Sequence, residues 1–320
     1  MKQSQTRVRS NSSLLKEIPP LLERFLGIGA TDLHVAAEDI PFVRINGDLV
    51  PMKDEKELTH EEMEKFARAL MGESRFNRFA NTHESDSAVS LPSGERIRIN
   101  ASIQRGNMAM AIRLLPAKIV PLEQLGISRR IISHICSLRH GLVLVTGATG
   151  SGKTTTLASF IDELNSTRQA HIVTIEDPVE YLHESKCSYV TQREVGSDTE
   201  SFSEALKRSF RQDPDIVLIG EMRDLETIRS ALTLSETGHL TFGTLHTSEA
   251  FQTIIRIIGT FPPSEQERAR LVLATTLRVV ICQQLLPRAD GNGRVLATET
   301  LVVTPVVRAL IRENKLHQIP

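Results

Sequence analysis

Tryptophan is absent from this 320-residue chain, tyrosine occurs twice, and aromatic residues together make up 4%. Proteins that track single-stranded nucleic acid stack bases on such rings, so this scarcity argues against that class. Charge of one sign is lacking too: 38 Lys and Arg face 39 Asp and Glu, a formal net charge of -1. No global field draws the chain to DNA, RNA or anionic lipid, and any charged partner must be met by a local patch. The three cysteines, Cys136, Cys187 and Cys282, lie far apart with no Cys-x-x-Cys pair, which excludes a disulfide framework and a zinc knuckle and fits a reducing cytoplasm. No apolar run approaches the roughly 20 residues that span a bilayer, and no apolar stretch follows the polar, basic residues 1–10. The expectation is a soluble, unexported protein.

What is present is ordinary globular material, 40% hydrophobic and 24% charged, enough for about two domains. Residues 116–121, Pro-Ala-Lys-Ile-Val-Pro, mark a change of character. The expected organisation is a small α+β domain over 1–115, a linker over 116–127, and a larger α/β domain over 128–320. In the first part, 32–35 and 42–52 read as strands, the second folded at Asn46-Gly47, and Thr59 with Glu62 forms a capping box for a helix through Met71. Two further strands flank the turn at Pro92, Ser93 and Gly94. Alternation puts Arg96, Arg98 and Asn100 on one sheet face and Ile97 and Ile99 on the other, predicting one apolar and one strongly cationic side. In the second part, short apolar runs at 142–146, 172–175, 216–219 and 239–245 predict a buried, largely parallel sheet. Helices are expected at 154–164, 202–211 and 225–236, the last closed by Gly238.

Gly147, Ala148, Thr149, Gly150, Ser151, Gly152, Lys153 and Thr154 satisfy the P-loop pattern between an apolar strand and a helical run. Such glycines let backbone N–H groups converge on a β-phosphate at a helix N-terminus, a lysine meets the β/γ oxygens, and a threonine hydroxyl ligates Mg²⁺. Thr149, Gly150, Ser151, Gly152, Lys153, Thr154 and Thr155 are therefore the candidate nucleotide-binding residues, with a nucleoside triphosphate as ligand. Hydrolysis also needs a carboxylate that aligns water, and two strand ends supply one. One carries Glu176, Asp177 and Glu180; the other carries Gly220-Glu221, a Walker B strand with Gly where Asp usually stands. Glu221 and the first cluster are expected to share metal and water positioning. His239 opens an apolar strand and His246 lies at its end, where a γ-phosphate sensor could sit, whereas His171 and His183 read as surface or core histidines. Arg96, Arg98, Arg105 and Arg113 invite a role in trans, since an ATPase working between subunits needs a guanidinium from its neighbour; Arg98 and Arg113 are the better candidates.

These motifs resemble those of the secretion and type IV pilus motor ATPases, most of all the pilus retraction (twitching motility, PilT/PilU-like) branch, over nearly the whole chain. The similarity lies in 30–34 (Ala-Thr-Asp-Leu-His), the P-loop, an acidic box at 175–180, a Walker B segment at 215–224, a histidine box at 238–247 and the run Thr191-Gln-Arg-Glu-Val195. Isolated cysteines cannot form the four-cysteine zinc insertion of the assembly and type II secretion relatives, which favours the retraction branch. The resemblance implies a PAS-like N-terminal domain joined to a RecA-like ATPase domain, a homohexamer, and ATP sites completed by arginines of the N-terminal domain. By similarity the water-activating glutamate falls on Glu180, the Walker B glutamate on Glu221 and the box histidines on His239 and His246; the candidate metal ligands are Thr154 and Glu221, read from the loop and the strand end. It further implies ATP and Mg²⁺ as ligands, an inner-membrane pilus platform protein and a paralogous pilus ATPase as partners, no nucleic acid, and a cytoplasmic location peripheral to the inner membrane. The rival readings are a secretion or DNA-transport ATPase, which would show DNA-stimulated turnover, and a regulatory subunit acting with a paralogous motor.

Overall fold

A computed structural model describes residues 18–45, 47–115, 118–289 and 293–319. Two compact units divide between Ala117 and Lys118.

The small unit begins with α1 (Pro20–Gly27), β1 (Asp32–Ala36), β2 (Phe42–Ile45) and β3 (Asp48–Pro51). Ile45 pairs with Asp48, so the β2–β3 connection is the two-residue hairpin read from the sequence, although its Asn46 lies outside the described residues. Next comes α2 (His60–Thr82), opened by the Thr59/Glu62 capping box. Gly72 breaks it with φ 73°, so the first helical segment stops at Met71 as the sequence predicts, while the continuation to Thr82 was not foreseen. Three antiparallel strands follow, β4 (Glu84–Ser90), β5 (Arg96–Gln104) and β6 (Asn107–Leu115), completing a sheet of order β3-β2-β1-β6-β5-β4. Ile97, Ile99 and Ala101 point into a core shared with Leu33, Val35, Phe66, Leu70 and Phe79. The opposite face is not the strongly cationic one the alternation predicts, because acids on neighbouring strands answer its arginines. Arg98 makes a bidentate pair with Asp86 at 3.0 and 3.1 Å, and Arg113 bonds Asp32 at 2.7 Å. Arg96 is 8% exposed and donates to the Ser90 hydroxyl.

The large unit includes most of the expected linker: Leu122 and Ile127 are buried in its core, and the Ser159 hydroxyl donates to the Val120 carbonyl. Its elements are α3 (Arg129–Ser137), β7 (Gly141–Thr146), α4 (Lys153–Thr167), β8 (His171–Glu176), β9 (Tyr189–Glu194), α5 (Phe202–Ser209), β10 (Ile216–Ile219), α6 (Leu225–Glu236) and β11 (Leu240–Leu245). After these come α7 (Ala250–Gly259), α8 (Gln266–Thr276), β12 (Leu277–Pro287), β13 (Arg294–Val302) and α9 (Pro305–Arg312). The seven strands order as β13-β12-β7-β11-β10-β8-β9, parallel except for the β12–β13 hairpin. Runs such as Leu142 to Val145 are buried on both faces, because helices cover both sides of the sheet. One layer packs Leu157, Phe160 and Ile161 of α4 on Val143 and Val145; the other packs α6, α7 and α8 on Leu142 and Leu144. Asp224 caps α6, and Gly238, at φ 104°, ends it as expected. Among the described residues no helix is long and apolar enough to cross a membrane.

Candidate active site

In a parallel sheet the carboxyl ends of the strands share one edge, and loops leaving that edge meet. β7 delivers Gly147 to Gly152 there, and α4 starts at Lys153. Gly147, Gly150 and Gly152 have φ of 141°, 77° and 90°, the left-handed region where a side chain is strained. Gly147 also has no room: a Cβ would stand 2.2 Å from the Gln283 carbonyl of neighbouring β12. Gln283, 4% exposed, further donates from Nε2 to the Ser151 carbonyl at 2.8 Å. That bond gives one buried loop carbonyl a donor behind the loop. The sequence carried no sign of this contact, which depends on β12 lying beside β7. Lys153 curls onto the loop, donating to the carbonyls of Gly147 at 2.8 Å and Ala148 at 3.0 Å. Burial lowers its ammonium from the ordinary lysine range, opposed by the charge of Glu221.

Two strands away, β10 ends at Ile219 and Gly220. A Cβ on Gly220 would press to 3.2 Å of both the Ile175 carbonyl and the Glu176 Cα, so the strand tip favours glycine and its carboxylate appears one residue later, on Glu221. Glu221 is paired with Arg223 at 2.6 Å and with Nε2 of His246, which follows β11, at 3.0 Å. Burial alone would raise the Glu221 carboxyl, but Arg223 and His246 together hold it below the usual carboxylate range. Arg223, which sequence reasoning passed over, is raised first by its Glu221 bond, against burial, and then by the charges of Glu221 and Asp177. The acidic box therefore reaches the same neighbourhood. At the end of β8, Glu176 is buried, accepting from Thr174 Oγ1 at 2.7 Å, while beyond it Asp177 is exposed and Glu180 half-buried. Next to Glu180, the Tyr181 phenol bonds the Thr155 hydroxyl of α4 at 2.9 Å. Burial raises this phenol, the Thr155 bond lowers it, and the Glu180 charge raises it again.

His239 does not join this edge. It precedes β11, whose parallel pairing with β7 runs from Leu240 beside Gly141 to Leu245 beside Thr146. Six residues of strand separate the two box histidines by about 20 Å. The His239 ring instead bonds the Leu234 carbonyl at 3.0 Å and the Thr237 hydroxyl at 3.1 Å, closing the α6–β11 turn. A γ-phosphate bound at the loop of the same chain is out of its reach. Arg98 and Arg113 lie in the small unit, each paired with an acid there.

His183, expected as a surface or core histidine, is half-buried, with its Nδ1 shielded from solvent. Burial pushes its ring down to about 4, with Asp162 opposing and Lys186 assisting, and its Nδ1 has no hydrogen-bond partner among the described residues. An unfolded chain takes up this proton near 6.5. Stability gained by keeping the ring neutral is therefore full above about pH 6.5 and declines as pH falls toward 4, by on the order of 2–3 kcal/mol. Urea unfolding of the wild type is expected to show a loss between those pH values that His183→Leu flattens; equal slopes for the two proteins would remove this assignment.

A phosphate chain fits the loop: its glycines hold positive φ, which strains any side chain, and α4 presents free N–H groups at its start. For a divalent cation, no group of three or more His, Cys, Asp or Glu side chains able to hold a metal exists among the described residues. Thr154 and Glu221 offer oxygen donors of the kind taken by an ion such as Mg²⁺, which keeps water and phosphate oxygens as most of its ligands.

The chain is 45% identical to the Pseudomonas aeruginosa type IV pilus retraction ATPase PilT over 291 residues, 91% of this chain and 84% of that one. It is 38% identical to the type IV pilus ATPase PilU of the same organism, over 95% of this chain and 79% of that one. A crystal structure of the pilus retraction motor PilT with bound ADP superposes with a TM-score of 0.88 at 46% identity, covering 95% of this chain and 88% of that one. The Legionella pneumophila ATPase DotB follows at 0.82 and 27%, covering 96% and 92%. With the profile of the type II/IV secretion system proteins matching residues 10–319, the chain belongs to that family.

Proposed function

We propose that this protein is a motor ATPase that hydrolyses ATP in a homohexameric ring and couples the closing of each site to type IV pilus retraction. The observation that carries the reading is the meeting of four motifs on one sheet edge: the phosphate loop, Glu221, His246 and the segment holding Glu180. The similarity to a pilus retraction ATPase, and to its ADP-bound form, supports nucleotide as the ligand and the pilus machinery as the setting.

In this reading Thr149 to Gly152 wrap the β-phosphate with backbone N–H groups, and Thr155 steadies the loop that carries Glu180. Lys153 turns from the loop carbonyls to the β/γ oxygens, Glu180 accepts the proton of the attacking water, and His246, bonded to Glu221, senses the γ-phosphate. Mg²⁺, held by Thr154 and Glu221 with the phosphates, would withdraw charge from the transferring group. Arg98 and Arg113 are assigned to the neighbouring subunit's nucleotide, an exchange in which each leaves its aspartate for phosphate oxygens. The partners are an inner-membrane pilus platform protein and a paralogous pilus ATPase, and the location is cytoplasmic, peripheral at that membrane.

The test has a biochemical and a cellular arm. Purified protein should sediment as a hexamer and release phosphate from Mg·ATP. A strain lacking the gene should carry excess surface pili and fail to twitch; bare cells would instead indicate an assembly motor.

A further inference from the structure

β9 is one of the two edge strands of the seven-stranded sheet, yet two of its polar side chains are turned to internal use. Gln192 spends its whole amide: Nε2 donates to the Tyr181 carbonyl at 2.9 Å and to Glu176 Oε1 at 3.2 Å, and Oε1 accepts from the His183 N–H at 2.7 Å. Glu194 is 7% exposed, and its carboxylate accepts from the Val179 N–H at 3.1 Å and the Ser197 hydroxyl at 3.0 Å. These bonds bracket one residue. Val179, before Glu180, is tied to Glu194; Tyr181, after it, is tied to Gln192 through its carbonyl and to Thr155 through its phenol.

The stretch from Asp177 to Ser188 contains no helix or strand, so ladder hydrogen bonds do not fix its backbone. Burying a carboxylate is costly unless donors meet it, and here the donors belong to the loop and the turn beside it. A general base displaced by about 1 Å can lose about a hundredfold in rate, so a loop carrying one needs outside anchors. We propose that Gln192 and Glu194 are positioning residues that hold Glu180 at its working place, with the Tyr181–Thr155 bond setting its distance from the phosphate loop. This use accounts for the Gln and Glu of the run Thr191 to Val195. The inference rests on the reading of Glu180 as the carboxylate that activates water.

The experiment uses the full chain, with kcat from phosphate release and affinity from a fluorescent ADP analogue. Gln192→Met, of similar volume but without the amide, is expected to lower kcat by about 10–100-fold while ADP affinity stays within about twofold. Tyr181→Phe, which removes one hydroxyl and threatens the fold least, should show the same split with a loss of about 3–10-fold. Glu194→Gln keeps an acceptor for the Val179 N–H and should retain most of the turnover that Glu194→Leu loses. Wild-type kcat in both Gln192→Met and Tyr181→Phe, beside an inactive Glu180→Gln, would overturn the positioning role alone. A fall in ADP affinity parallel to kcat would overturn it too, since that pattern belongs to a merely structural contact. An active Glu180→Gln would remove the reading beneath it.

Discussion

Lys153→Ala is expected to reduce ATP turnover by about a thousandfold or more and to weaken ATP binding, without loosening the fold. The rate effect follows from charge: an ammonium aimed at the β/γ oxygens stabilises negative charge that grows in the transition state, in a site where water screens it little. The stability half of the prediction follows from what the side chain does without phosphate. Its three donors meet two loop carbonyls and half-burial lowers its pKa, so the charged form costs the folded state more than the unfolded one. Removing it takes away that cost along with two hydrogen bonds, and the melting temperature of the nucleotide-free protein should barely move. Phosphate release, ATP titration and thermal unfolding on the same preparations check all three. Near-normal turnover in Lys153→Ala would displace the phosphate loop from the chemistry, whatever the loop's shape.

The parts of this architecture that could be read from sequence are those written in local spacing. Runs such as 142–146 announce strands because both their faces are covered, and α6 has the predicted limits because Asp224 and Gly238 act within a turn of its ends. What failed to appear depends on which strands become neighbours. The basic face of the small unit looked unopposed because Asp32 and Asp86 lie on other strands, 81 and 12 residues from the arginines they meet. The family resemblance names both His239 and His246 as box histidines, and the parallel pairing of β11 with β7 leaves His246 alone at the edge that holds the phosphate loop. Gln283 was silent for the same reason, being 132 residues from the loop carbonyl it holds. Gly220, by contrast, was visible as an oddity, and the closeness of the β8 backbone at Ile175 and Glu176 explains it.

The two carboxylates that sequence spacing could not separate, Glu176 and Glu180, should part in their effects. Glu176 is 7% exposed at the tip of β8, and one of its oxygens accepts from both Thr174 and Gln192. A glutamine there offers a carbonyl oxygen to the same donors and occupies the same volume, so Glu176→Gln should keep the fold and most of kcat, within about tenfold. Glu180 stands half-exposed between two anchored residues, one of them the tyrosine whose phenol touches α4, where a water could reach it. Its amide counterpart cannot take a proton from water. Glu180→Gln is therefore expected to cost about 10²–10⁴ in kcat with nucleotide affinity preserved, the signature of an interaction made in the transition state. Single-turnover hydrolysis in the two variants, with binding measured separately, distinguishes them. If the larger loss fell on Glu176→Gln instead, the water-activating role would belong to the strand tip, and Gln192, which bonds Glu176 directly, would be holding the base itself.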